Sequence, residues 1–283
     1  MVEVFKLKKR KKSIESIKKA TKAQQIITAA RIASAKHQMK AFSEFFAELK
    51  SIVQWLPADQ NVKIPTAAPV ALVVITSNRG FCGGFNTNVI TTARIQAEKL
   101  IQQGKKVTIY AIGRKGGAYF SARCYPMLGQ DDKIGDTPTL KAALDLINYL
   151  RQEQQADRLD EVYLIYNQYQ SVLVQLPMLT RILPFEFNAH QSPSPPLIIF
   201  EPDTERVSPP AINYYLGGFL LSKCIGSLVG ELSARLVVTK NAVDNSDELI
   251  SQLNLQINKI RQANITSELT GLSSNFEVLK EEL

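Results

Sequence analysis

The sequence predicts an α/β protein in which a central open sheet sits between two long helical arms. Two observations carry this. Residues from Phe5 to Leu56 contain no Pro and no Gly, and the stretch from Ala211 to Leu283 contains no Pro. Between them, short apolar runs alternate with helix-length segments, the pattern of parallel strands joined by crossover helices. At 1.5 Å per residue the arms would run to roughly 80 and 110 Å. Helices of that length cannot bury their apolar stripes on the middle of their own chain alone. They must pack on each other, on partner subunits, or on both.

The first arm, residues 1–57, repeats every seven residues through Leu7, Ile14, Thr21, Thr28, Ala35, Phe42, Leu49 and Leu56. Ile17, Phe45 and Ile52 fall three positions later, with Gln24, Arg31 and Gln38 between them, so the expected second seam position turns polar in the middle. Such a seam suits a helix that meets changing neighbours. Pro57, Pro65 and Pro69 then open an irregular connection into a central domain assigned to 58–208. Val70-Ala-Leu-Val-Val-Ile75 reads as a buried parallel strand. Helices are expected at Thr87–Gln103, Lys115–Arg123 and Thr139–Gln155, and further strands at Lys106–Ile112 and Glu161–Asn167. Ser171 to Phe187 alternates through Val172, Val174 and Leu176, the mark of a hairpin partner. A loop with Pro193, Pro195 and Pro196 precedes one more expected strand, Leu197–Phe200. The last arm, 209–283, carries Ile250, Leu253, Ile257 and Ile260, then Ile265, Leu269, Leu272, Phe276, Leu279 and Leu283 after a five-residue step.

The formal charge is +8, and residues 1–40 hold twelve Lys and Arg against Glu3 and Glu15, so the basic character belongs to one helix. That helix will seek phosphate, lipid headgroups or an acidic protein surface. Only Phe5 interrupts its basic half with an aromatic ring, so it offers no stacking platform for bases. Three separated cysteines, Cys82, Cys124 and Cys224, argue against a disulfide framework. The most apolar stretch, Tyr214 to Leu232, is interrupted by Lys223 and Glu231 and is too polar to span a bilayer.

Thr76-Ser-Asn-Arg-Gly-Phe-Cys-Gly-Gly-Phe-Asn-Thr-Asn88 follows a strand and opens a helix, where a Gly-rich turn could cradle phosphate. Gly80, Gly83 and Gly84 fit no known phosphate loop, and glycines for a tight turn and close helix–sheet contact are the simpler reading. Cys82 lacks the Arg that a phosphatase-like loop needs, because position 88 is Asn88. His37 and His190 lie in no triad-like setting, and Asp131-Asp132 reads as a solvated loop. No clustered Cys or His ligands suit zinc. In the last arm, Arg261 and Gln262 flank the apolar stripe. Enclosed by other subunits, Arg261 could make charge-assisted contacts to a carboxylate.

Four segments together resemble the γ subunit family of F-type ATP synthases. They are Ser16-Ile-Lys-Lys-Ala-Thr-Lys-Ala23, Arg79-Gly-Phe-Cys-Gly-Gly-Phe-Asn86, the Tyr166-Asn-Gln-Tyr, Gln175-Leu-Pro and Leu183-Pro184 group, and Ala242-Val-Asp-Asn245 with Lys259-Ile-Arg-Gln-Ala-Asn-Ile-Thr-Ser-Glu-Leu-Thr270. The resemblance implies a long antiparallel coiled coil of the two terminal helices beside an open Rossmann-like α/β domain. It implies a non-catalytic rotor shaft inserted in a hexamer of α and β subunits, with no cofactor of its own. The foot would lie near the ε subunit and the membrane c-ring, and the complex at a bacterial inner membrane or its organellar or thylakoid equivalent. Arg261, Gln262, Thr266 and Lys22 match segments that face the β subunits. Arg79, Gly80, Cys82, Gly83 and Gly84 match a loop at the ε and ring end. Gln24 replaces the family's usual Met, and Gly271-Leu-Ser-Ser-Asn-Phe-Glu replaces its usual small-residue ending. From the residues alone, an α/β ligand- or nucleotide-binding protein with coiled-coil oligomerisation arms stays open as an alternative, as does a membrane- or nucleic-acid-binding coiled coil using residues 6–22.

Overall fold

The computed structural model describes residues 2–56, 68–185, 201 and 203–281, with side chains at 3–56, 68–185, 201 and 203–270. The helices are α1 (Val2–Val53), α2 (Phe85–Gln102), α3 (Arg114–Ser121), α4 (Lys133–Asp136), α5 (Leu140–Gln155) and α6 (Thr204–Glu281). The strands are β1 (Val70–Ile75), β2 (Val107–Ile112), β3 (Met127–Asp131), β4 (Val162–Tyr169) and β5 (Gln175–Leu183). The expected connection at 57–67 and the Pro-rich loop and strand at 193–200 lie outside the described residues. The chain divides into two compact units, Met1–Ile27 with Val238–Leu283, and Thr28–Val237.

In the unit Thr28–Val237, five strands form one sheet in the order β3-β2-β1-β4-β5. β1 pairs parallel with β2 and β4, β2 parallel with β3, and β5 closes the edge antiparallel to β4. Every residue of β1 is buried, as a central strand covered on both faces requires. Its period of two divides the core. Val70, Leu72 and Val74 face Val89, Ala93, Ala97 and Leu100 of α2 and Phe120 of α3. Ala71, Val73 and Ile75 face Ile147 and Leu150 of α5, Val53 of α1, and Leu216 and Leu220 of α6. Parts of both long helices are therefore third-layer elements of the α/β body, beyond what their length alone suggested.

Two elements differ from expectation. Asp131 ends β3, and its carboxylate accepts the amides of Lys133 (2.6 Å) and Ile134 (3.0 Å), so the Asp131-Asp132 pair turns the chain into α4 and is partly buried. α6 starts at Thr204, so Pro209 and Pro210 lie inside it. Asp203 caps this start by accepting the Arg206 amide at 2.7 Å. The two prolines offer no N–H to the carbonyls of Glu205 and Arg206, but both residues are exposed and water can serve them.

The first-arm seam also differs. Leu7, Ile14, Thr21, Thr28, Ala35, Phe42, Leu49 and Leu56 are buried or half-buried as expected. The second seam lies four positions on, not three. In Thr28–Val237 it runs through Ile32, Met39, Phe46 and Val53, while Phe45 and Ile52 are exposed. Ile32 and Ala35 pack on Leu228, Val229 and Leu232, and Phe46 stacks on Tyr215, so α1 and α6 run antiparallel there. In the other unit Ile17 is exposed, Lys18 occupies the seam and pairs with Asp247 of α6, and Val243 and Leu253 are buried.

Candidate functional site

β1 has β2 on one side and β4 on the other, and the chain leaves for them in opposite directions. The end of such a strand is the place where open α/β sheets build their sites. Here it runs into Thr76–Gly84, the Gly-rich loop, before α2 begins. Thr76 donates from Oγ1 to the Ile112 carbonyl (3.1 Å) and accepts the Gly116 amide (2.9 Å). Asn78 accepts the Arg114 amide (2.9 Å) and donates to the Asp132 carbonyl (2.6 Å). Both side chains tie the base of the loop to neighbouring strand ends.

The loop's own polar groups turn inward. The Ser77 amide donates to Asn86 Oδ1 (2.9 Å), Asn86 Nδ2 donates to Ser77 Oγ (2.7 Å), and Ser77 Oγ donates to the Arg79 carbonyl (2.6 Å). Cys82 is buried beside them, 3.1 Å from Asn86 Nδ2, and burial pushes its thiol up despite the Ser77 hydrogen bond and Arg235. A thiol raised in this way is a poor nucleophile, in keeping with the small buried residue expected from sequence. Gly83 adopts φ 57°, which supplies the tight turn. Close contact with a neighbouring element is not what Gly80 serves, because nothing lies within 4 Å of a Cβ built there, while at Gly84 such a Cβ would stand 3.5 Å from the Asn88 side chain of α2. The Phe85 amide, which a phosphate cradle would use, already donates to the Cys82 carbonyl (3.2 Å).

Across the loop stands α6. Arg235 donates from Nε to the Gly80 carbonyl and from Nη2 to the Arg79 carbonyl, each at 3.2 Å. Its Nη1 lies 2.6 Å from Glu231 Oε1, one turn earlier. Arg235 is 3% exposed and Glu231 4%, so the pair is sealed inside the protein. Burial raises the Glu231 carboxyl above its ordinary value, with Arg235 and then Arg31 acting against it and Asp136 adding to it. Gly230 lets α6 come close: a Cβ there would stand 3.2 Å from Gln175 Cγ and 3.4 Å from the Phe85 ring. The chain's own helix thus takes up two of the loop's carbonyls and packs against the start of α2 and β5.

Beyond this clamp the loop presents Phe81, 80% exposed and held at φ 59°. Arg79, Gly83 and Gly84 are exposed beside it and Gly80 is half-buried, so the structure brings these residues into one loop with Cys82 facing inward. Lys22, Arg261, Gln262 and Thr266 belong to the other unit, and all four are exposed. Thr266 Oγ1 donates to the Gln262 carbonyl (2.9 Å), the helix's own backbone. Apolar side chains of the same unit stand in solvent too, Ile26 at 64% and Leu269 at 62%, with Phe5, Ile17, Ile27, Leu255 and Ile265 also exposed. Sequence reasoning missed Arg235 and Glu231 as parts of the site. Their signal was an opposite-charge pair four residues apart at the end of the most apolar stretch.

The family described as ATP synthase matches residues 4–279. The ATP synthase gamma chain of Ruminococcus albus is 33% identical over 279 residues, covering 97% of this chain and 98% of its own. That of a Nocardioides species is also 33% identical, covering 95% and 93%. Among solved structures, a chain of the Euglena gracilis mitochondrial ATP synthase (OSCP, F1 and c-ring, rotational state 3) superposes with a TM-score of 0.69 at 15% identity, covering 98% of this chain and 94% of that one. A chain from the rotor of the same enzyme superposes at 0.65 and 16% identity, covering 93% and 99%. With identity at this level sustained from end to end, the chain belongs to the ATP synthase gamma chain family.

Proposed function

We propose that this chain is the central shaft of an F-type ATP synthase, a non-catalytic rotor that carries torque between a membrane c-ring and an α/β hexamer. The observation that carries the reading is the family match along residues 4–279, which includes both arms and the sheet between them. The arms support it physically. A helix pair that leaves Ile26, Leu255 and Leu269 in solvent has apolar surface that other subunits can cover. The basic first helix suits an acidic lining.

On this reading Arg261, Gln262, Thr266 and Lys22 meet the β subunits, and Arg79, Gly80, Cys82, Gly83 and Gly84 form the loop near the ε subunit and ring. The mechanical division is an arm at 1–57, a body at 58–208 and an arm at 209–283. The family's complex is membrane-associated, and we place this one on the cytoplasmic face of a bacterial inner membrane or its organellar equivalent. Against the expectation from Lys223 and Glu231, α6 holds a window apolar enough by length and composition to cross a membrane, but 78% of that window is buried inside the protein, which supports membrane contact through the complex.

The test is Arg261→Ala in the reassembled synthase. An exposed guanidinium that pairs with a carboxylate on binding is worth about 2 kcal/mol or more, and its loss should weaken assembly or lower ATP-driven pumping severalfold. Full pumping and full assembly in the variant would remove Arg261 from the contact.

A further inference from the structure

We propose that Arg235 is a positioning residue that ties the register of α6 to the conformation of the Gly-rich loop, so that movement of the helix changes how Phe81 is displayed. The inference rests on the geometry within Thr28–Val237 and stands whether or not the shaft reading holds. A single guanidinium, 155 and 156 residues away in sequence, holds the carbonyls of two adjacent loop residues at 3.2 Å each. That is the outer edge of the hydrogen-bond range, so about 1 Å of travel breaks the contact unless the loop follows. Rotation is as restrictive, because one residue of register turns a helix by roughly 100° and carries Arg235 away from the loop.

The guanidinium is itself oriented. Glu231, on the same face one turn away, takes Nη1 at 2.6 Å and leaves the Nε and Nη2 edge aimed at the loop. Charges on other elements face the pair. Arg31 of α1 donates to the Asp136 carbonyl at 3.3 Å, and both bear on the Glu231 carboxyl. The loop end is the responsive part. Phe81 sits at φ 59°, a backbone region that a bulky L-residue leaves when nothing holds it, and its neighbours on the N-terminal side are the two clamped carbonyls. Ser77 Oγ also donates to the Arg79 carbonyl, whereas among the described residues Arg235 supplies the side-chain donor to Gly80. The arrangement is a clasp, closed while α6 keeps its present register.

Amide hydrogen exchange on the full chain tests this, with Arg235→Lys keeping the charge but losing the fork, and Glu231→Gln keeping the guanidinium but weakening its anchor. The amides of Ser77 and Phe85, hydrogen-bonded within the loop to Asn86 Oδ1 and the Cys82 carbonyl, are expected to exchange about tenfold faster in Arg235→Lys and severalfold faster in Glu231→Gln, beyond any uniform change shared with β1 and β2. Adding Phe81→Gly to Arg235→Lys should recover part of the protection, since glycine tolerates the left-handed backbone without being held there. A purely structural ion pair would give no such rescue. Unchanged exchange at Ser77 and Phe85 in a folded Arg235→Lys chain overturns the proposal. So does a loss of protection at these two amides no larger than that in β1 and β2 in both single variants, which would make the pair a support of the whole fold and not of the loop in particular.

Discussion

Replacing Glu231 by Ala should cost the unit Thr28–Val237 about 3 kcal/mol. The side chain is 4% exposed and its partner 3%, so removing the carboxylate leaves a guanidinium that water cannot reach. Breaking one side of a buried pair typically costs about 3–5 kcal/mol. The lower figure applies because the carbonyls of Arg79 and Gly80 still accept two of the Arg235 donors. Trp55 is the one tryptophan in the chain and lies half-buried in the turn after α1, within the same unit, so its fluorescence follows the unfolding that matters. With a urea dependence of about 2 kcal/mol per molar, the midpoint should fall by about 1.5 M. A shift below about 0.3 M would refute the argument, because it would mean the pair contributes no more than a surface contact. The sign with pH is also set. Burial raises the folded-state carboxyl, so its proton-linked stability is complete below the ordinary value near 4.5 and is lost as pH rises through the folded value. Glu231→Gln lacks that dependence. The stability of the parent chain relative to Glu231→Gln should therefore decline as pH rises across this window.

Two further outcomes follow from burial. Ile32→Ala should destabilise the chain by about 2–4 kcal/mol, whereas Ile17→Ala should cost less than about 0.5, since the first lies in the seam and the second in solvent; equal melting temperatures for the two variants would restore the three-residue spacing. A thiol reagent at neutral pH should modify one cysteine per native chain, the exposed Cys124. Cys82 is buried and raised, and Cys224 is buried with its thiol pushed up to about 12 by desolvation, Asp131 adding to it, so rapid modification of either would contradict the packing around α6.

The central strands were readable because β1 and β2 are short, apolar and rich in β-branched residues. β3 was not, because Met-Leu-Gly-Gln-Asp carries little β propensity and becomes a strand only by pairing with β2. The seam of α1 was readable to one residue. Apolar candidates stand both three and four positions after Phe42, as Phe45 and Phe46, and after Leu49, as Ile52 and Val53. A helix offers both spacings to a neighbour. The choice fell to α6, whose Leu228, Val229 and Leu232 meet Ile32 and leave the opposite face open.

By itself, the order of residues determined the α/β pattern, the two long helices and the placing of the Gly-rich loop between a strand and a helix, because each depends on neighbours within about a dozen residues. Only the tertiary structure decided what holds the loop. Lys223 and Glu231 look like breaks in an apolar run. Folded, Lys223 stands over the rings of Phe219 and Tyr166, and Glu231 orients Arg235 against carbonyls 155 and 156 residues away. A buried charge takes its meaning from the partner that desolvation forces on it, and that partner is chosen by packing between elements, which no local pattern records.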